Sequence, residues 1–293
     1  MTQHADQPTV EIGTIVIDGD ITLRRMIVRA PEPKGTVLLL HGFPETILAW
    51  TEIALALADD YDVHAFDWPG FGLSSRPPVE RFGYAPRDYA RVLKGYVDRA
   101  GIDRTTLNIY ATDISALPTL LLALDEPDVA GALIVGDFAP FNRPALMSEN
   151  LRALKAKPAA DRVRAVMNAN RDEILANTFT RGLPPEARYE IPQEFQDDAG
   201  RGWDHGEMTS ADAFYHYYSH FTRDQDYFEA NLARLKTPVS VVWGAVDSYI
   251  DKEMGAELAD RLGVNLELLP GIGHYAHLQA PHRVIEEIRA SFR

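Results

Sequence analysis

The segment Gly35-Thr-Val-Leu-Leu-Leu-His-Gly42 is apolar at consecutive positions and ends at a glycine. A strand with one wet face alternates, whereas a continuous apolar run fits a strand buried on both faces, as in a parallel sheet with helices on each side. Similar runs recur at Asp62–Phe66, Thr106–Thr112, Gly131–Val135, Pro238–Gly244 and Asn265–Leu269. Helical patterns fall at about Thr46–Asp59, Pro86–Ala100, Ala116–Leu124, Lys252–Leu262 and His282–Phe292. Ahead of them, Val10–Ile17 and Ile21–Arg29 flank Asp18-Gly19-Asp20, a hairpin signal. The rhythm predicts an α/β fold: a mostly parallel, eight-stranded sheet flanked by helices.

From Pro140 to Leu235 the alternation lapses into a charged, helical stretch, then resumes. The expected organisation is a core of residues 1–139 and 236–293 with a helical cap inserted at 140–235. A net charge of −14 argues against a nucleic-acid partner, which needs a positive footprint. With no cysteine, neither a disulfide nor a thiolate site can form. No apolar run approaches the roughly 18 residues that span a bilayer, and Met1–Thr9 lacks the apolar core of a signal peptide. The expectation is a cytoplasmic monomer or homodimer that acts on a small molecule without contacting membrane. None of the nine histidines has convincing ligand spacing, so neither a metal nor a cofactor is expected.

Chemistry concentrates at the strand ends. In Ala111-Thr112-Asp113-Ile114-Ser115-Ala116 a buried strand turns into a helix between small residues. Such a strained turn lifts one side chain above a sheet, and here that side chain is Asp113. By itself the segment reads equally well as a helix with Asp113 at its N-cap. Its company decides. His41-Gly42-Phe43-Pro44 follows the first buried strand, and Asp67-Trp68-Pro69-Gly70-Phe71-Gly72 follows the second. Gly244-Ala245-Val246-Asp247 follows the strand after the cap, and Gly273-His274-Tyr275-Ala276-His277 follows the last. The order nucleophile, acid, histidine is that of the α/β-hydrolase fold.

These motifs resemble the epoxide hydrolase and dehalogenase branch of the α/β-hydrolase superfamily, across the core from Val10 to Arg293. His41-Gly-Phe-Pro-Glu45, with Trp50 following, is similar to the loop of epoxide hydrolases and haloacetate dehalogenases. The resemblance implies that Asp113 attacks an electrophilic carbon to form an alkyl ester. His274 then activates the water that hydrolyses it, and Asp247 orients the imidazole. Backbone N–H groups of Phe43 and Ile114 would form the oxyanion hole. Asp137, after the strand Gly131–Val135, is the alternative acid, because several dehalogenases carry theirs at this strand end. His277 reads as a packing residue, His41 as an orienting residue of its loop, and Glu45 as either a polarising group or a solvated loop charge.

In the cap, Phe214-Tyr215-His216-Tyr217-Tyr218-Ser219-His220-Phe221 is dense in aromatics. Epoxide hydrolases use cap tyrosines to protonate the opening epoxide. Tyr218 is the first candidate, and Tyr215, three residues away on one helix face, is the second. Tyr189 is a remote candidate for the other member of the pair. After the nucleophile, haloalkane dehalogenases and most epoxide hydrolases carry tryptophan. Haloacetate dehalogenases carry arginine there and again three residues on. This chain has Ile114 and Leu117. Neither side chain can hold a halide or a carboxylate, although Trp203 in the cap could stand in for the tryptophan. The leading expectation is hydrolysis of an uncharged, apolar epoxide to a diol. Hydrolytic dehalogenation by the same mechanism is the alternative, and a catalytically weak binding protein of this fold is a further one.

Overall fold

The computed structural model describes residues 8–292. Eight strands lie in one sheet, ordered β1-β2-β4-β3-β5-β6-β7-β8. β1 (Val10–Asp18) and β2 (Ile21–Val28) form the expected hairpin, and β2 pairs antiparallel with β4 (Asp62–Phe66). The remaining pairs are parallel: β3 (Thr36–Leu40), β5 (Leu107–Thr112), β6 (Ala132–Gly136), β7 (Val239–Gly244) and β8 (Leu266–Leu269) complete the sheet. The eight-stranded, mostly parallel sheet read from the sequence is present.

The pleat explains the unbroken apolar runs. Alternate residues of β3 go to opposite faces. Leu38 and Leu40 pack in the cluster that holds α2 (Pro86–Ala100) and α3 (Ala116–Asp125). Val37 and Leu39 pack in the one that holds α1 (Thr51–Leu57) and α11 (Pro281–Ala290). The helix expected over Thr46–Asp59 is divided: Thr46 caps a tight turn over Ile47–Trp50, and α1 begins only at Thr51. α9 (Lys252–Leu262) lies between β7 and β8, and the short α10 (Ala276–Gln279) precedes α11.

Between β6 and β7 the described chain is helical: α4 (Glu149–Ala153), α5 (Ala159–Ala169), α6 (Arg171–Asn177), α7 (Gln193–Trp203) and α8 (Ser210–Asn231). This insert is tied to the sheet by buried polar groups. Arg24 of β2 donates to Asp67 at 2.6 Å and, through both terminal nitrogens, to Asp198 of α7 at 2.9 and 2.5 Å. Both carboxylates are fully buried. Removing one partner of such a pair strands the others and costs about 3–5 kcal/mol. Arg76 adds a second tie by donating to the carbonyls of Gly70, Gly202 and Met208. Among the described residues, no helix is long and apolar enough to cross a membrane.

Candidate active site

β5 ends at Thr112, and the chain reverses there into α3. Ser115 closes the turn: its hydroxyl accepts the Thr112 N–H at 2.9 Å and lies 2.6 Å from the Thr112 carbonyl. Between them Asp113 has φ +52°, a left-handed conformation that costs a non-glycine residue of order 1–3 kcal/mol. The strain lifts the Asp113 carboxylate off the sheet. Gly42 is required opposite it, because a Cβ there would stand 2.6 Å from the Asp113 Cβ.

The two Asp113 oxygens have different surroundings. Oδ1 accepts backbone N–H groups from Ile114 at 2.6 Å and Phe43 at 3.1 Å. Oδ2 lies 2.9 Å from His274 Nε2. On the far side of the ring, His274 Nδ1 is 2.7 Å from Asp247 Oδ2. Asp247 Oδ1 is fixed by the N–H groups of Tyr249 at 2.7 Å and Ile250 at 3.2 Å. The loops bearing Asp247 and His274 approach so closely that a Cβ on Gly244 would lie 2.1 Å from the Gly273 carbonyl oxygen. Burial opposes a charged His274 ring, but the Asp247 and Asp113 carboxylates on its two sides prevail and hold it well above its ordinary value of 6.5.

His41 aims one of the Oδ1 donors. Its Nδ1 is 2.7 Å from the Gly42 carbonyl, which belongs to the same peptide unit as the Phe43 N–H. Its Nε2 accepts the Trp68 N–H at 3.3 Å, which assigns the proton to Nδ1. The donating Nδ1–H therefore fixes the plane of the Gly42–Phe43 peptide.

Asp137 is near His274, but the Nδ1 hydrogen bond of the ring goes to Asp247. Asp137 also has a positive φ, +50°, and is buried at the end of β6, where its Oδ1 accepts the Gly244 N–H at 2.9 Å. Oxygens of Asp137 and Asp247 and a nitrogen of His274 lie within 4.8 Å of one another. Burial and the neighbouring Asp247 charge push the Asp137 carboxyl well above its usual range. An acid raised in the folded state adds stability in full below its unfolded pKa, near 3.8, and loses it as pH rises through the folded value. An Asp137→Asn variant is therefore expected to gain on the parent as pH rises above about 4, by up to about 1.4 kcal/mol per pH unit until the parent's Asp137 ionises. Melting temperatures of both proteins between acidic and neutral pH measure this. A constant difference would show that Asp137 ionises normally.

Above Asp113 lies a narrow cavity of about 10 Å³, lined by Asp113, Ile114, Phe138, Ala139, Tyr217, Tyr218, Phe221 and Ile250. Tyr218, a sequence candidate, is there. Tyr215 is not among the lining residues; its hydroxyl donates to Asp161 of α5 at 2.8 Å. Tyr217 takes that place, and sequence reasoning missed it. The stripe Phe214, Tyr217, Tyr218, Phe221 follows i, i+3, i+4, i+7 spacing, the pattern of one helix face. Phe214 at its head stacks on Phe43, with ring centroids 4.2 Å apart. The Tyr217 hydroxyl is buried without a hydrogen-bond partner. Burial first, then Asp113, keeps the Tyr218 proton on well above pH 10, and burial with Tyr218 and Asp113 does the same for Tyr217. Trp203 is fully buried against Phe43, centroids 5.6 Å apart, and is not among the cavity-lining residues. Tyr189 donates to the Phe179 carbonyl.

The family model for the alpha/beta hydrolase fold matches residues 35–281. The chain belongs to this family. Among curated relatives, haloalkane dehalogenase 2 of Mycobacterium tuberculosis is 43% identical over 68 residues, 23% of each chain. Fluoroacetate dehalogenase of a Burkholderia species is 32% identical over 124 residues, 42% of this chain and 39% of that one. The chain thus spans less than half the length of either relative. Two solved structures share the fold. Cfl2 from Burkholderia cenocepacia superposes with a TM-score of 0.81 at 22% identity, covering 99% of this chain and 98% of that one. Epoxide hydrolase VrEH1 from Vigna radiata gives 0.77 at 18% identity, covering 96% and 97%.

Proposed function

We propose that this hydrolase opens a small, uncharged, apolar epoxide to a diol through an alkyl ester on Asp113. The observation that carries the reading is the cavity, where Tyr217, whose buried hydroxyl has no partner, and Tyr218 line one space with Asp113. A buried hydroxyl without a partner costs about 1–3 kcal/mol, a penalty relieved when a ligand oxygen accepts from it. The epoxide oxygen supplies such an acceptor. The lining includes no lysine or arginine to hold a substrate carboxylate and no tryptophan to grip a departing halide.

In this scheme Asp113 Oδ2 attacks an epoxide carbon. The C–O bond breaks, and the alkoxide takes a proton from Tyr217 or Tyr218. The proton of the resting His274 imidazolium replaces the one the tyrosine gave up. With Asp113 now a neutral ester, the ring has lost one of the two charges that held its proton. Water then attacks the ester carbon while His274 Nε2 takes the water's proton. Negative charge develops on Oδ1, between the N–H groups of Phe43 and Ile114. Collapse expels the diol oxygen, which leaves with the His274 proton, and the water's second proton passes from the new Asp113 carboxyl to His274, restoring carboxylate and imidazolium. Asp247 holds the ring and stabilises its charged form; Asp137, raised by burial beside it, is assigned no step.

Dehalogenation by the same route is the second reading, favoured by the two sequence relatives and by the tyrosine O–H groups as donors to halide. Phenylalanine variants of the two tyrosines separate the readings. Tyr217→Phe and Tyr218→Phe are each expected to slow diol formation from styrene oxide about tenfold, and the double variant about 100-fold or more. Bromide release from 1-bromobutane should be negligible in every form. Rapid bromide release together with undiminished epoxide opening in the double variant would transfer the assignment to the dehalogenase reading.

A further inference from the structure

Glu45 and His277 form a buried pair beside the site that the scheme above does not use. The Glu45 and His277 side chains are both almost wholly buried. Glu45 Oε1 makes a short hydrogen bond with His277 Nε2, and Oε2 accepts the Gly42 N–H at 2.7 Å. Burial opposes the Glu45 charge, yet His277, His41 and the Gly42 N–H together hold its carboxyl below the usual range. The His277 ring is stacked on Trp50, with centroids 4.3 Å apart. Two residues before His277, the Tyr275 hydroxyl donates to the Phe43 carbonyl at 2.9 Å. The loop that carries His274 and the loop that carries the Phe43 N–H are therefore fastened together twice. Gly42 is held at both ends, its N–H by Glu45 and its carbonyl by His41.

We propose that Glu45 and His277 are positioning residues that keep the Phe43 N–H in register with His274, and that they serve ester hydrolysis and not ester formation. The assignment rests on the covalent reading above. The selectivity follows from where charge goes. During attack the Asp113 carboxylate loses negative charge, so donors at Oδ1 gain nothing from being well placed. During hydrolysis negative charge builds on Oδ1, and at that moment the placement of its donors is worth most. Hydrolysis also needs the water held at His274 and the hole at Oδ1 on opposite sides of one carbon, a relation between two loops. The double fastening sets that relation.

Rapid-quench measurements with styrene oxide, read by intact mass, resolve the two half-reactions. In Glu45→Ala, ester formation should stay within about twofold of the parent while hydrolysis slows about tenfold or more, so that ester accumulates. Glu45→Gln can still accept from Gly42 and bond the His277 ring, and should bring hydrolysis back to within about threefold of the parent. Tyr275→Phe removes only the second fastening and should show the same split, more weakly; it carries the test if Glu45→Ala fails to fold. Equal slowing of both half-reactions, or a Gln variant no better than Ala, would reduce the pair to a packing role and overturn the proposal. A His274→Gln variant that traps no ester from styrene oxide or 1-bromobutane removes the covalent reading, and this assignment with it.

Discussion

An Asp113→Asn enzyme is expected to lose turnover of styrene oxide by about 10⁴-fold or more, with its fold intact. The size follows from what is removed. An amide is a poor nucleophile, and no other carboxylate lines the cavity. Members of a nucleophile–base–acid set act as a unit, so losing the nucleophile costs about as much as losing all three. The fold should survive because asparagine is among the residues that tolerate φ near +52°. Its Oδ1 can still accept the Phe43 and Ile114 N–H groups. One complication sharpens the test. Water activated by His274 can attack the new amide carbon as it would the ester, regenerating aspartate. Activity that returns in step with the mass of aspartate therefore supports both halves of the mechanism. Undiminished turnover in protein whose mass is still that of asparagine would exclude Asp113 as the nucleophile.

What the sequence alone specifies has a physical boundary. Strands buried on both faces carry continuous apolar runs, so β3, β5 and β6 were legible almost residue by residue. The positions beside Asp113, Asp247 and His274 were legible because each follows such a run, and their chain order is tied to the sheet order. The helical insert between β6 and β7 was less transparent. An i, i+3 argument paired Tyr215 with Tyr218, but the face of α8 turned to the cavity carries Tyr217, Tyr218 and Phe221, and Tyr215 reaches sideways to α5. The stripe was in the sequence; which stripe met the nucleophile depended on how α8 lies across the sheet. Glu45 was opaque for another reason. A glutamate in a glycine-proline loop looks solvated, and its partner His277 lies 232 residues away. Only folding brings them together. The same holds for Asp137: the sequence offered it as an acid, while its hydrogen bond to Gly244 depends on how β6 and β7 pair, and the His274 Nδ1 goes to Asp247.

A His274→Gln enzyme should stop half-way. Glutamine is close in size to the imidazole but cannot accept a proton from water, so Asp113 can still be alkylated while the ester waits. Incubation with styrene oxide is expected to convert nearly all of the protein to a species heavier by one substrate, with steady turnover down about 10³-fold or more. Peptide mapping should place the added mass on the segment that contains Asp113. Adduct on a different segment, or none, would sink the covalent route. The parent enzyme supplies a second measurement. In the resting state His274 is held well above its ordinary pKa by Asp247 and Asp113 together. Esterification removes the Asp113 charge and its hydrogen bond, so in the intermediate Asp247 alone opposes burial and the ring gives up its proton more readily. Ester decay after rapid mixing should therefore slow only below an apparent pKa that lies under the resting His274 value read by NMR. The nucleophile, in being consumed, switches on its own base. Coincident values in the two states would mean that Asp113 contributes nothing to holding the proton, and the 2.9 Å contact between Oδ2 and Nε2 would need another explanation.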